Sequence, residues 1–510
     1  LLNAQVNINF RSNLPYPGQT CANIWGYVDS LGNEYALVGA SKGLSIVNVT
    51  NPDSPFEVAQ IPGPDNLWKE VKTWGKYAYV VSEGGGGLQI IDLRKLPGTT
   101  LPSKYWEVKY KGDTLVRAHS LHIDNGFAYL YGGTYKGALI CDLSDPWNPV
   151  AAGLFNTSYI HDGYVRNNVL YGSHIYGGYF SIIDVSNKSI PTLIQTQTTS
   201  KHATHNTWLS DDSKTLFTTD ETPGSFLDAY DISNTSNISL MDMIQSNPGS
   251  GSIVHNCHVK NDWVVCSYYK DGVVIFDGHR PTNLVQVANF DTDTAHSGNG
   301  YTGAWGVYPY LPSGTIVVSN INEGLFVLSP TYKRACYLEG IVTDSVTGLP
   351  INTANVDILT TTVIDSTKLT GDYAIGTVVP GTYTVQVSKS GYITRTIGGI
   401  NLTAGNVTSL NVKLKPVSSS VSDQNDPLKF NVYPNPFSDR FLISYSLIDE
   451  LSSDAHLIVT DITGRLVIQQ GIKMRSGVIS IEGIQERGVY LVQLMNGNMR
   501  SHAVKLLKLQ

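Results

Sequence analysis

Apolar and polar residues alternate over short runs along most of this chain, and turn-forming residues punctuate the alternation. The clearest stretch spans residues 254–328. It reads V-H-N-C-H-V-K-N-D-W-V-V-C-S-Y-Y-K-D-G-V-V-I-F-D, and later G-A-W-G-V-Y-P-Y-L-P-S-G-T-I-V-V-S-N-I-N-E-G-L-F-V-L. A period of two broken by Asn-Asp and Asp-Gly pairs predicts antiparallel strands joined by hairpins. Each half opens on an aromatic or imidazole side chain, His255 or Trp305. Each half then closes on an apolar run, Val273–Phe276 or Leu325–Leu328.

The same grammar recurs through the first two-thirds of the sequence. The opening position is filled by Trp25, Trp68, His119, His161, His205, His255 and Trp305, at intervals of roughly 42 to 51 residues. The closing runs fall at Leu44–Val49, Leu88–Leu93, Ala138–Leu143, Tyr179–Val185, Phe226–Ile232, Val273–Asp277 and Leu325–Leu328. Four short strands per repeat of this length predict propeller blades. Seven repeats predict a seven-bladed β-propeller over residues 5–335. The last blade lacks an outer strand, so residues 6–14, V-N-I-N-F-R-S-N-L, are expected to complete it and remove an open sheet edge.

The pattern changes after residue 335. Residues 336–415 carry short alternating strands with Gly/Pro turns and predict a small β-sandwich. Residues 416–427, including P-V-S-S-S-V-S-D-Q-N-D-P, predict a flexible linker. A second small β-sandwich is expected over 428–510. The fold class is therefore all-β: a seven-bladed propeller followed by two small β-sandwich domains.

Composition narrows the function. The 510 residues exceed one ordinary domain, and 29 tyrosines with 48 glycines favour strands and tight turns. A net charge of −7 without any basic run argues against nucleic-acid binding. No apolar stretch approaches the roughly 18 residues that span a bilayer as a helix. Residues 1–4, ending at Ala4, read as the remnant of a secretory signal peptide. The five cysteines suit an oxidising compartment. A hairpin turn at Asn261-Asp262 would place Cys257 opposite Cys266, and Cys21 and Cys336 flank the two ends of the propeller. Either pair can be a disulfide or a pair of buried thiols. Cys141 sits in a closing run and reads as core.

Ten of the twelve histidines lie in the propeller. The opening strand of a blade is the innermost, so His119, His161, His205 and His255 should gather around the central channel. Hairpin arithmetic sets His161 opposite His174, and His205 opposite Asp220 next to Glu221. The same mouth should carry Glu83, Asp271 and Glu323. Imidazoles with carboxylates can bind Zn²⁺ or another first-row metal, so the metal candidates are His119, His161, His174, His205, Asp220 and His255. The plainer reading is that His and Trp interchange here as planar residues packed between blades. No H-E-x-x-H, nucleophile elbow or phosphate-cradling loop is present. No catalytic residue can be named, and no cofactor is expected beyond a divalent metal in the channel.

Several stretches resemble known families. G-L-S-I-V-N-V, G-L-Q-I-I-D-L and Y-F-S-I-I-D-V resemble LVIVD repeats. T-H-N-T-W-L-S-D-D-S-K-T-L-F-T-T-D-E and G-A-W-G-V-Y-P-Y-L-P-S-G resemble the choice-of-anchor B family of surface proteins. Residues 337–414, with Y-L-E-G-I-V-T-D and V-P-G-T-Y-T-V, resemble carboxypeptidase-regulatory-like domains, which usually act as spacers or accessory binding units. F-N-V-Y-P-N-P-F, T-D-I-T-G-R-L-V, R-G-V-Y-L-V-Q-L and the Lys-containing end resemble the C-terminal sorting domain of type IX secretion substrates. That resemblance implies a Bacteroidetes-type cell, export through the periplasm and outer membrane, and residues 428–510 as the part that meets the secretion machinery. The combined expectation is a secreted or cell-surface binding protein whose propeller presents a face to an unknown ligand, glycan or protein. The alternative is a secreted metal-dependent, hydrolase-like enzyme using the histidine mouth.

Overall fold

The computed structural model describes residues 5–417, 428–447 and 450–509. The expectations for residues 1–4 and for most of the 416–427 linker lie outside the described residues.

Seven four-stranded antiparallel sheets form the propeller. Their innermost strands are Cys21–Val28, Lys69–Trp74, Ser120–Asp124, Asp162–Arg166, Thr204–Leu209, Asn256–Lys260 and Ala304–Tyr308. Each packs beside the next, and the last returns to the first, so the ring is closed. Six blades come from consecutive strands. The seventh takes Ala304–Tyr308, Ile316–Asn320 and Gly324–Pro330, and its outer strand is Ile8–Leu14 from the chain start. The register runs from Ile8 opposite Pro330 to Leu14 opposite Leu325. Arg11 also reaches blade one, donating two hydrogen bonds to Asp53 at 2.7 and 2.6 Å.

The turns obey local chemistry. Asn167-Asn168 and Asn261-Asp262 both have positive φ at each central residue, the type I′ geometry that matches strand twist. Between blades, buried side chains such as Phe180, Phe217, Tyr230 and Phe276 form a continuous apolar core. Burying each such side chain contributes about 1.5–3 kcal/mol.

Residues from Cys336 to Pro416 build two facing sheets over a core of Leu338, Val356, Tyr373, Val385 and Leu414. This sandwich is fixed to blade six. Arg280 donates to both Glu339 oxygens at 3.0 and 2.9 Å, and Arg334 pairs with buried Asp277 at 2.6 Å. The C-terminal unit is a separate compact body with its own two sheets and core, including Phe441, Leu457, Val492 and Leu506. Its D-I-T-G-R turn is held by Asp461, which accepts from the Thr463 and Arg465 backbone N–H groups and the Arg465 guanidinium.

Of the two outcomes left open for each cysteine pair, the structure has the buried thiols. Cys257 does face Cys266 across the blade-six hairpin, yet both are free thiols. The Cys257 N–H and Sγ both point to Asn206 Oδ1. Burial pushes both thiols up, which suppresses the thiolate that oxidation needs. Cys21 and Cys336 are also free and are not brought together. Cys21 packs with Tyr16 and Leu325 at the blade-one and blade-seven seam, whereas Cys336 starts the sandwich and packs on its core. The ring is closed by a strand instead.

Candidate functional site

One end of the channel is crowned by planar side chains from the starts of the inner strands. Trp68, His119, His161, His205, His255 and Trp305 all line it. Ring centroids step around the crown at 4.0 Å (His119–His161), 4.5 Å (His161–His205), 4.2 Å (His205–His255) and 4.8 Å (His255–Trp305). Blade one contributes Asn23 here. Trp25, expected in the crown, lies deeper, packing against Tyr308 and His258 at 4.8 and 6.1 Å.

Backbone carbonyls set the tautomers. A carbonyl can only accept, so His205 Nδ1–H donates to His255 O (3.1 Å) and His255 Nδ1–H donates to Trp305 O (2.6 Å). Both Nε2 lone pairs are left facing one carboxylate. Glu221 Oε2 is 3.8 Å from His205 Nε2, and Glu221 Oε1 is 3.8 Å from His255 Nε2. Tyr269 anchors that carboxylate, its hydroxyl donating to Oε1 at 2.5 Å. His119 Nδ1 pairs with Glu83 at 2.6 Å. His161, only 8% exposed, has no partner at either ring nitrogen. Burial holds the His205 imidazole down at about 4 and His255 at about 3, and drives His161 well below the usual range; neighbouring histidines add to the effect. These rings are neutral near pH 7.

Beneath the crown lies a belt of buried polar groups. Asp162 accepts from Ser120 Oγ (2.6 Å), Asn206 Nδ2 (2.7 Å) and the Gly163 N–H (2.8 Å). Burial opposes its ionisation, but the Ser120 and Asn206 hydrogen bonds with the Lys72 charge hold it below the usual carboxylate range. Glu70 pairs with Lys72 and accepts from Asn23, while burial pushes its carboxyl up. Further down, Trp25, His122, Tyr164, Trp208, His258 and Tyr310 fill the channel as an aromatic floor. The free volume at the crown is about 20 Å³, enough for one ion or water molecule.

Four sequence-predicted groups lie outside the crown. The expected turn does continue the register that sets His161 beside His174, but His174 turns into blade four. Its Nδ1 meets Tyr159 O at 2.7 Å and its Nε2 meets Ser181 Oγ at 2.8 Å. Asp220 faces Thr204, because a bulge between Thr204 and Asn206 shifts the register past His205. Its carboxylate accepts from Thr199 Oγ1 and from the Lys201 and Ala203 N–H groups. Asp271 accepts from Ser246 Oγ, and Glu323 is exposed. Sequence reasoning missed the Glu70, Lys72 and Asp162 belt and the Tyr269 anchor. Asp162 follows the crown residue His161 by one position, as its partners Ser120 and Asn206 follow His119 and His205, which is the signal that could have found it.

Fold and site together define an all-β propeller protein with an imidazole-crowned channel mouth. Family models match three parts of it: the LVIVD repeat at residues 30–61, 69–94 and 162–199, the carboxypeptidase regulatory-like domain at 337–415, and the secretion system C-terminal sorting domain at 431–508. The sorting domain marks a protein exported to the cell surface or extracellular space, and it implies interaction with the secretion machinery. Among the described residues no helix is long and apolar enough to cross a membrane. No curated protein matches the chain. Among solved structures it is similar to the crystal structure of the computationally designed Ika8 protein, at 8% identity and a TM-score of 0.41, covering 62% of this chain and 98% of that one.

Proposed function

We propose that this exported protein is a binding module whose ligand face is the crowned mouth of the propeller, and that the ligand is a surface or matrix glycan. The observation that carries this reading is the rim of exposed aromatics beside the crown. Trp68, Tyr176 and Tyr301 are 42%, 85% and 53% exposed. Tyr176 packs on Tyr159, 6.3 Å from His161, and Tyr301 packs on Tyr269, 4.7 Å from His255. An exposed aromatic face with a polar tip offers a flat stacking surface for the apolar face of a sugar ring. The packed floor beneath makes the mouth rigid, which limits the ordering cost of binding.

The enzymatic alternative draws on the Glu83–His119 pair beside the crown. It draws less from the cavity, because space for one ion leaves any organic substrate above the rim. The test is co-sedimentation of the full chain with insoluble chitin, cellulose, xylan and peptidoglycan, in the presence of EDTA. Retention on at least one, reduced tenfold or more in a Trp68→Ala/Tyr176→Ala/Tyr301→Ala variant, is the expected result. Retention on none, or equal retention of the variant, would overturn the proposal.

A further inference from the structure

We infer that the crown is a site for one divalent first-row metal ion of the zinc class, held by His161, His205 and Glu221 with His255 as the fourth ligand. This deepens the reading of the mouth as a binding centre by naming the ion that it holds.

The arrangement of donors carries the inference. One ligand atom from each of His161, His205 and Glu221 lies within 4.8 Å of the others. In a tetrahedral site with ligands about 2.0–2.1 Å from the metal, donors sit roughly 3.3–3.4 Å apart. The set is therefore open by about 0.5 Å at the His205 and His255 contacts with Glu221, which a side-chain rotation can close. The lone pairs are already aimed. Backbone carbonyls hold both Nδ1–H groups, so Nε2 of His205 and of His255 points at Glu221 with no proton between them. An imidazole lone pair facing a carboxylate is unfavourable unless a cation lies between them. Fixing the far nitrogen is also what orients a metal-bound histidine.

His161 supplies the independent observation. It is more than nine-tenths buried, lines the cavity, and neither ring nitrogen has a partner. A buried polar atom left unsatisfied is destabilising, and a metal bond removes that penalty for one of them. Charge around the crown has the right sign, since the carboxylates Glu70, Asp162 and Glu221 outnumber the cations Lys69 and Lys72. Two or three nitrogens with one carboxylate suit Zn²⁺ and its first-row neighbours rather than Ca²⁺ or Mg²⁺.

The experiment uses the full chain, stripped with chelator and dialysed, then titrated with ZnCl₂ by calorimetry and with CoCl₂ by visible absorption. The expected result is one equivalent of Zn²⁺ and a tetrahedral Co²⁺ spectrum. Glu221→Gln, which keeps the Tyr269 hydrogen bond, should weaken Zn²⁺ binding by about 100-fold. His161→Ala/His205→Ala should abolish it, while His279→Ala/His296→Ala on the surface should not change it. Circular dichroism confirms folding of each variant. Binding below one-tenth equivalent in the wild type, or wild-type affinity in folded Glu221→Gln, would overturn the assignment. Zinc binding by the aromatic-rim variant, with glycan retention lost or absent, separates this result from the glycan reading.

Discussion

Acidification should unfold this propeller through histidines that hold no ligand, and His258 gives the cleanest measure. Its ring is buried among Trp208, Tyr310 and Trp25, with centroids 4.4, 5.9 and 6.1 Å away. Burial, with the Lys72 charge adding to it, holds the imidazole at about 3. A depressed base is bound by fewer protons in the folded state. Its contribution to stability is present above the unfolded value of about 6.5 and is lost as pH falls towards 3. Between pH 7 and pH 5 the unfolded chain gains nearly one and a half units of proton affinity at this site, worth about 2 kcal/mol. His122 at about 3 and His174 at about 4 act in the same direction. Two carboxyls oppose them. Burial raises Asp228 to about 7 and Asp242 to about 6, so their contribution grows as pH falls through those values. Comparison with His258→Phe cancels all the other groups. Phe keeps the ring between Trp208 and Tyr310, and Nδ1 has no hydrogen bond to lose. Urea unfolding in EDTA should show the variant gaining about 2 kcal/mol on the wild type between pH 7 and pH 5. A difference that stays flat with pH would refute the argument.

Two further outcomes follow from the fold. Removing residues 5–14 strips the outer strand from blade seven and exposes the Gly324–Pro330 edge, so the truncated chain should lose about 3–6 kcal/mol and self-associate in light scattering; a monomer of unchanged stability would contradict the closure. Cys257 and Cys266 should resist a thiol reagent in the native protein and label on urea unfolding; rapid native labelling, or a bridge found by intact-mass analysis, would contradict burial as the reason they stay reduced.

Much of the architecture was legible because strand alternation and blade period are properties of the chain itself. Asn-Asn and Asn-Asp turns fixed the register of blades four and six. The histidine crown was legible for the same reason, since the opening position repeats. What failed was local geometry at the channel. A bulge at His205 moved Asp220 away from the mouth, and bulges carry no sequence mark of their own. Blade one carries a register shift between Cys21 and Ile24, so Trp25 was placed in the wrong layer. The belt was hidden because a strict period of two sends the residue after the crown into the blade. Asp162 and Asn206 instead meet each other between adjacent blades four and five, beneath the crown. The Cys21–Cys336 pairing assumed that the ends of the ring needed a covalent lock, whereas a hydrogen-bonded strand supplies it.

The most direct test of the account is anomalous diffraction at the zinc edge, from crystals of the full chain grown with one equivalent of Zn²⁺. The account predicts a single peak in the channel mouth, about 2.0–2.2 Å from His161, His205 and Glu221. An empty crown in such crystals, or zinc bound only at surface histidines such as His279 or His296, would contradict it.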